Sequence, residues 1–233
     1  NMKNKVAILQ SNYIPWKGYF DIIRSVDLFI FHDDLQYTKG DWRNRNKIKT
    51  PNGIKWLTIP CGTNEKRLIC EVEITDHSWQ KQHWNLIQMS YKKSEYFSVY
   101  KSFFEDIFLG ENWKNLSDFN QTIIKKISKE ILNIDTEFDD SRRYELKEKK
   151  GDRVIELLKK ANAEYYLSGP AAKDYINEKV FKENNISLEW MDYSNYPEYT
   201  QLYPPFEHFV SIIDLIFNEG PNTLNFMKKI NSK

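Results

Sequence analysis

Cysteine is scarce in this chain. There are two, Cys61 and Cys70, in 233 residues, and neither sits in a zinc-type spacing. That excludes a disulfide scaffold and leaves free, reduced thiols as the expectation, with a hairpin disulfide as the lesser alternative. An excess of either charge is also missing: 34 basic against 33 acidic side chains leave a net +1. A general electrostatic grip on nucleic acid or an anionic membrane needs a larger surplus, so neither is expected as a partner, although a local basic patch is compatible with this balance. Long apolar runs are absent too. None approaches the roughly 20 residues of a membrane span, and the stretch Val6 to Leu9 is far too short for a signal segment. The expectation is a cytoplasmic protein without a membrane span. The chain also lacks internal repeats, a nucleophile elbow, an HExxH pair, and the fingerprints of a P-loop or a dinucleotide turn.

What is present is an ordinary globular mixture. Hydrophobic residues at 40% and charged residues at 29% allow a core that needs neither disulfides nor structural metal at this length. Aromatic residues reach 15%, enough both to fill a core and to line a sugar or base pocket. The length suggests a single domain over 1–233, with an α/β core from 1–77 and 133–233 and a helical insertion over 78–132.

The pattern along the chain supports that division. Val6 to Leu9 reads as a buried strand leading into the turn-like SNYIP. A short helix follows from about Trp16 to Ser25, then a second apolar run, Asp27 to Phe31. Strand, helix, strand predicts a βαβ unit and a parallel sheet. Pro51-Asn52-Gly53 is the turn of a hairpin with arms Arg45 to Thr50 and Ile54 to Ile59. From Ser78 to Ile131, Trp79, His83, Trp84, Ile87 and Tyr91, then Phe97, Tyr100, Phe104 and Ile107, recur at helical steps. The last third alternates again: a strand over Thr136 to Asp139, a helix over Lys150 to Asn162, a strand over Glu164 to Leu167, a helix over Ala171 to Asn184, a strand over Ile186 to Met191, and a final helix over Phe209 to Phe217. The fold class is α/β with a mainly parallel open sheet.

Four segments could carry chemistry. The first is Gln10, Asn12, Tyr13, Trp16, Lys17, Gly18 and Tyr19, between a strand and a helix. Ligands of open α/β sheets bind there, and exposed helix amides favour phosphates. The bland alternative is a turn with Trp16 and Tyr19 packed inside. The second is Asp33, Asp34, Gln36 and Tyr37 at the exit of the second strand, where paired carboxylates could hold magnesium, act as a base or bind sugar hydroxyls. The alternative is a solvated strand exit. The third is Trp42, Arg43, Asn44, Arg45 and Lys47. Three cations at alternate positions of an extended chain would share a side, suited to phosphate, with Trp42 free to stack. The alternative is an edge strand kept soluble by charge. The fourth is Ser168, Gly169 and Lys173, a strand-to-helix turn suited to phosphate, or simply a turn with proline near the helix start. The histidines are read as ordinary packed or surface residues.

The strings QSNYIPWKGYFD, DLFIFHDDLQYTKGDWRNRNKIKT, KWLTIPC, YYLSGPAAKDYI and YTQLYPPFEHFVSIIDLIFNEG, in that order, resemble the WbqC-like family over most of the chain. The family is associated with bacterial gene clusters for O-antigen and related surface polysaccharides. The resemblance implies a cytoplasmic role in lipopolysaccharide biosynthesis, making or modifying an activated sugar. A looser resemblance, carried by Trp16-Lys17-Gly18-Tyr19, is to nucleotidylyltransferases with an H-x-G-H motif, and implies a HUP-like core. Gly18 is retained there; Trp16 and Tyr19 stand where both histidines would be.

Three functions follow as expectations. One is a transferase that places a small acyl or aminoacyl group on a nucleotide-linked amino-deoxysugar. In it Asp33 or Asp34 acts as base, Tyr19 joins the catalytic group, Lys17, Arg43 and Arg45 hold phosphates, and Trp16, Tyr19 and Trp42 stack. The second is a degenerate nucleotidyl or adenylyl transferase that takes a nucleotide triphosphate with magnesium near Gly18 and Ser168. The third is a non-catalytic sugar-nucleotide-binding subunit. No cofactor beyond the activated donor or a nucleotide triphosphate is implied, and no metal site is assigned.

Overall fold

A computed structural model describes residues 4–230. Its centre is β1 (Lys5–Leu9), a strand whose side chains are nearly all buried because helices cover both faces of the sheet. Val6 and Ile8 face one layer, and Ala7 faces the other. From β1 the chain enters α1 (Lys17–Arg24) and returns as β2 (Leu28–Phe31), which pairs with β1 in parallel, Val6 opposite Leu28. The hairpin β3 (Arg45–Thr50) and β4 (Gly53–Thr58) follows, with Arg45 opposite Thr58 and Lys47 opposite Trp56. Its turn contains Gly53 at φ +99°, a conformation that a side chain would strain.

Three helices come next: α2 (Ser78–Tyr91), α3 (Phe97–Leu109) and α4 (Leu116–Lys126), which ends in a π turn over Ile127–Ile131. Asn115 caps α4 by accepting from the Asp118 amide. The chain then re-enters the sheet as β5 (Glu137–Asp140) and continues through α5 (Lys150–Lys160), β6 (Tyr165–Ser168), α6 (Glu178–Glu183), β7 (Ser187–Trp190) and α7 (Ile212–Glu219). The spatial strand order is β5-β2-β1-β6-β7, all parallel. The expected α/β class with a mainly parallel sheet and a separate antiparallel hairpin is therefore what the chain forms.

The two sheet faces carry separate cores. Ile155, Leu157 and Leu158 of α5 and Phe181 of α6 cover Val6, Ile8, Ile30 and Tyr166. On the other face α1, α7 and the α2–α4 block pack on Ala7, Phe29, Phe31 and Leu167. That second core is dominated by aromatic rings, with Trp79, Trp84, Tyr91, Phe104, Phe108, Phe119 and Phe217 fully buried. The crossover from β1 thus lies on one face and the crossover into β6 on the other. Strand order reverses between β1 and β6, which opens a crevice at their carboxyl ends. Both thiols are free. Among the described residues no helix is long and apolar enough to cross a membrane.

Two sequence expectations need correction. The helix over Ala171 to Asn184 is not continuous. A 3-10 turn, Pro170–Asp174, comes first, and Asn177 then restarts the chain as α6 by accepting from the Lys179 amide. The last helix does not begin at Phe209. Ser211 accepts from the Ile213 amide, so α7 starts at Ile212 and leaves Phe209 outside, 58% exposed.

His83 of α2 fastens the hairpin to the β1 exit. Its Nε2–H donates to the Thr58 carbonyl, so its Nδ1 accepts from the Tyr13 hydroxyl at 2.7 Å. Burial lowers its pKa to about 4, and burial likewise lowers that of His32 to about 4. Between pH 6.5 and 4 the unfolded chain therefore binds protons that these folded imidazoles refuse. Acidification should cost about 1.4 kcal/mol per pH unit for each group in that window. Asp21 opposes the trend, because burial raises its carboxyl to about 6 and the folded state takes up its proton first. Urea denaturation between pH 6.5 and 5 should show a shallower loss of stability in His83→Gln than in the native chain. Equal slopes would contradict the assignment.

Candidate functional site

The chain leaves β1 through a loop under strain. Ile14 is fully buried at φ +33°, a region that a β-branched residue rarely enters. Asn46 of β3 holds it there, its Nδ2 donating to the carbonyls of Tyr13 at 3.0 Å and Ile14 at 2.9 Å. The Tyr13 amide adds a bond to the Trp42 carbonyl at 3.0 Å. This inversion turns Asn12, Pro15 and Trp16 outward. With Trp42, Asn46, Lys47 and Phe209 they line a cleft of about 280 Å³.

Aromatic rings make most of its wall. Trp16 meets Phe209 at 5.4 Å and Tyr193 at 4.9 Å between ring centres. Trp42 lies beside Trp56 at 5.5 Å. The cations of β3 sit over these rings: Arg45 is 4.3 Å above Trp56, and Lys47 is within 6 Å of both Trp42 and Trp56. Among the described residues neither Arg45 nor Lys47 has a carboxylate within ion-pair distance. The Asn12 Oδ1 is a buried acceptor with no hydrogen-bond partner among the described residues. Such a cleft can stack a flat or pyranose ring and attract an anion.

Gly18 is required by this wall. A Cβ there would lie 2.3 Å from Cζ2 of Trp16, so the indole folds back over the bare helix backbone.

The structure gathers Asn12, Trp16, Trp42 and Lys47 at the cleft, with Arg45 beside it over Trp56, and puts other expected site residues elsewhere. Tyr13 is core, bonded to His83. Tyr19 is buried and donates to the Gln10 carbonyl at 2.9 Å. Arg43 points inward rather than sharing the side of Arg45 and Lys47, and donates to Gln10 Oε1 at 2.6 Å. Asn44 donates to the Ile59 carbonyl. Gln36 bonds to the Glu65 carbonyl, and Tyr37 is buried beneath Arg67. Lys17 is 2% exposed and donates to His208 Nδ1. Ser168 and Gly169 lie at the exit of β6, across the crevice from Gln10. Lys173 covers the Trp190 ring at 5.6 Å.

The two carboxylates do not form a pair. Asp33 is fully buried and accepts from the Ser11 amide and hydroxyl at 2.8 and 2.7 Å, from Ser117, and from Gln121 at 3.1 Å. Its oxygens are committed to protein donors. Asp34 turns the other way, to Arg153 and Ser141, and keeps 18% side-chain exposure. Arg153 also donates to His32 Nε2 at 3.0 Å, which leaves the His32 proton on Nδ1. Among the described residues no three His, Cys, Asp or Glu side chains converge as a metal site would.

Pro15, Asn46 and Phe209 complete the cleft. All three are visible in the sequence strings, but their convergence depends on the Ile14 inversion and on the late start of α7, which no local pattern signals.

Two variants separate the roles. Asp33→Asn confronts Gln121 with a second donor and should cost about 2–3 kcal/mol, roughly 5–10 °C in Tm. An unchanged Tm would show that the network carries no load. Gly18→Ala gains up to about 1 kcal/mol of helix propensity but must expel the Trp16 ring. Its Tm should stay within a few degrees while the cleft tryptophan fluorescence changes; an unaltered spectrum would contradict the close approach.

Comparison with known proteins gives the chain its relatives. The sequence profile of the WbqC-like protein family matches residues 10–226. The chain is 42% identical to the uncharacterized protein Rv1507c of Mycobacterium tuberculosis, over 226 residues that cover 96% of this chain and 97% of that protein. No solved structure matches the chain. The protein belongs to the WbqC-like family.

Proposed function

We propose that this protein is a transferase of bacterial surface-polysaccharide biosynthesis that acts on a nucleotide-linked amino-deoxysugar, adding a small acyl or aminoacyl group. The observation that carries the reading is the cleft: an aromatic wall with Lys47 in it and Arg45 beside it over Trp56, two cations that have no carboxylate counter-charge among the described residues. A ligand that stacks a sugar ring and brings phosphate supplies what both lack. At about 280 Å³ the cleft takes one ring-sized moiety. The nucleotide then extends toward the crevice between β1 and β6, beside Ser168, Gly169 and Lys173.

The strand order supports a nucleotidylyltransferase-like, HUP-like reading of the sheet, since sheets that reverse between central strands bind nucleotides at that reversal. It does not favour nucleotidyl transfer itself. Trp16 is a cleft wall and Tyr19 is buried, so neither offers the imidazole that such chemistry uses. In the acyl-transfer reading the sugar amine attacks the donor carbonyl, the donor's leaving group departs, and the amine gives up a proton. Asp33 is enclosed and Asp34 is held by Arg153 and Ser141 away from the cleft lining, so neither carboxylate takes that proton, which leaves with the donor's leaving group or to solvent.

Calorimetry with UDP-glucosamine tests the reading. Binding is expected to weaken about tenfold (~1.4 kcal/mol) in Arg45→Gln and in Lys47→Gln, and to fall with added salt. Free glucosamine should be insensitive to both changes. Incubation of UDP-glucosamine with an acyl thioester, or with an amino acid, ATP and magnesium, should add the acyl mass to the sugar. Absence of binding to the native chain would overturn the proposal, and binding without any mass gain would reduce it to a sugar-nucleotide-binding protein.

A further inference from the structure

After β7 the chain crosses the molecule as an irregular strap, residues 191–211, before α7 begins. Most of it is fastened firmly. Tyr196 donates to Asp21 of α1, and Tyr199 donates to Asp214 of α7. Gln201 bonds both the amide and the carbonyl of Glu207, at 2.9 Å each. At the far end the Ser211 amide donates to the Lys47 carbonyl at 2.8 Å, and the Ile212 amide to the Pro15 carbonyl at 2.9 Å. Between Glu207 and Ser211 the tip, His208 and Phe209, has one side-chain bond to the body of the molecule, from Lys17 Nζ to His208 Nδ1 at 2.6 Å.

That bond links the two walls of the cleft through their sequence neighbours. Lys17 follows Trp16, and His208 precedes Phe209; the Trp16 and Phe209 rings lie 5.4 Å apart. The Lys17 ammonium is enclosed by ring faces rather than carboxylates, with Tyr196 at 4.7 Å, Tyr199 at 5.5 Å and Phe206 at 5.9 Å. A cation at this depth, with no ion pair among the described residues, needs an acceptor, and His208 supplies it.

We infer that Lys17 and His208 are a positioning pair that holds Phe209 against Trp16 and so sets the width of the substrate cleft, with the bond failing when the imidazole is protonated. The second part of the inference, that cleft width governs affinity, rests on the function proposed above. Because Lys17 donates, the neutral imidazole carries its proton on Nε2. Protonation removes the acceptor and brings two cations together. The groups around the pair set the pH at which this happens. Burial and Lys17 lower the pKa of His208, while Glu198 and Glu207 of the strap oppose them. Burial lowers that of Lys17 to about 8, against the raising influence of Asp21 and Asp214. Lys228 lies over the Tyr196 ring at 4.8 Å, and Lys49 faces Asp214. The pair is therefore charged lysine with neutral histidine at neutral pH and is lost on the acid side of the ordinary histidine range.

The full chain labelled with 5-fluorotryptophan and 15N-histidine tests this without any ligand. The Trp16 fluorine signal is assigned by Trp16→Phe and the His208 imidazole by His208→Gln. In the native chain the Trp16 signal should shift as His208 titrates, below the ordinary value of about 6.5. Lys17→Met fills the cage without donor or charge; it should raise the His208 titration toward the ordinary range, burial still holding it down, and displace the Trp16 signal at all pH values. If Lys17→Met does not fold, His208→Leu removes the acceptor from the surface side and should displace Trp16 equally. His208→Gln restores an acceptor that gains no proton, so its Trp16 signal should match the native one at pH 7.5 and not move in acid. UDP-glucosamine should bind about tenfold more weakly to Lys17→Met or His208→Leu, and within about twofold of native to His208→Gln. A Trp16 signal indifferent to both disruptive variants, or one in His208→Gln that still shifts in acid, would overturn the pair, whatever the ligand does. A native chain that shows the expected fluorine and imidazole behaviour but binds no UDP-glucosamine would support the pair and refute the cleft's proposed ligand.

Discussion

One buried carboxylate joins the parts of this protein that surround the carboxyl ends of β1 and β2. Asp33 lies at the exit of β2, accepts two bonds from Ser11 at the exit of β1, and two more from Ser117 and Gln121 of α4. Its own carbonyl accepts from the Cys70 amide. The sheet, the β1 exit loop and the helical block therefore meet on a single side chain. A charge without solvent contact survives only when its lone pairs are matched, and four donors match them here. With Asp33 fixed, the chain after Ser11 has a defined start, and the inverted turn at Ile14 can be closed by Asn46 at its other end.

The cleft is built from that constraint rather than beside it. The inverted turn would be unstable alone. It persists because two carbonyls are held by Asn46, and because Tyr13 is gripped by His83 and the Trp42 carbonyl. The result is a rigid scaffold that exposes Trp16 and Trp42 while the rest of the aromatic content fills the core. Rigidity in the binding residues lowers the ordering cost of association. The strap supplies the opposite wall, and its fixing points alternate between tyrosine hydroxyls on buried carboxylates and lysines on strap acceptors. Phe209 is the part of that wall with the lightest restraint, which is where adjustment of width costs least.

Much of the fold was legible locally. Short apolar runs bounded by turn residues marked β1, β2, β6 and β7, and Pro51-Asn52-Gly53 marked the hairpin, because these signals act within a few residues. The alternation of strand and helix gave the parallel sheet. The break between Asp174 and Glu178 was not legible, since the stretch is compatible with helix and the break depends on the Asn177 cap. The long ordered strings drew attention to the right segment for the cleft, yet within it half the polar and aromatic residues turned out to be internal fasteners. Polar type and spacing do not distinguish a side chain that binds a ligand from one that binds the protein's own backbone.

By itself, then, the sequence determined the family, the class of the sheet, and a stretch of chain from Gln10 to Lys47 that holds most of the cleft's lining. Only the tertiary structure decided which side of that stretch is open. Asp33, Arg43, Tyr13 and Lys17 face inward, while Asn12, Trp16, Trp42 and Lys47 face the cleft and meet Phe209 from far along the chain. The reason is physical. Orientation here follows from a strained turn, a buried charge and an aromatic cage, each held by partners distant in the chain, and such contacts leave no periodic trace in the residues that make them.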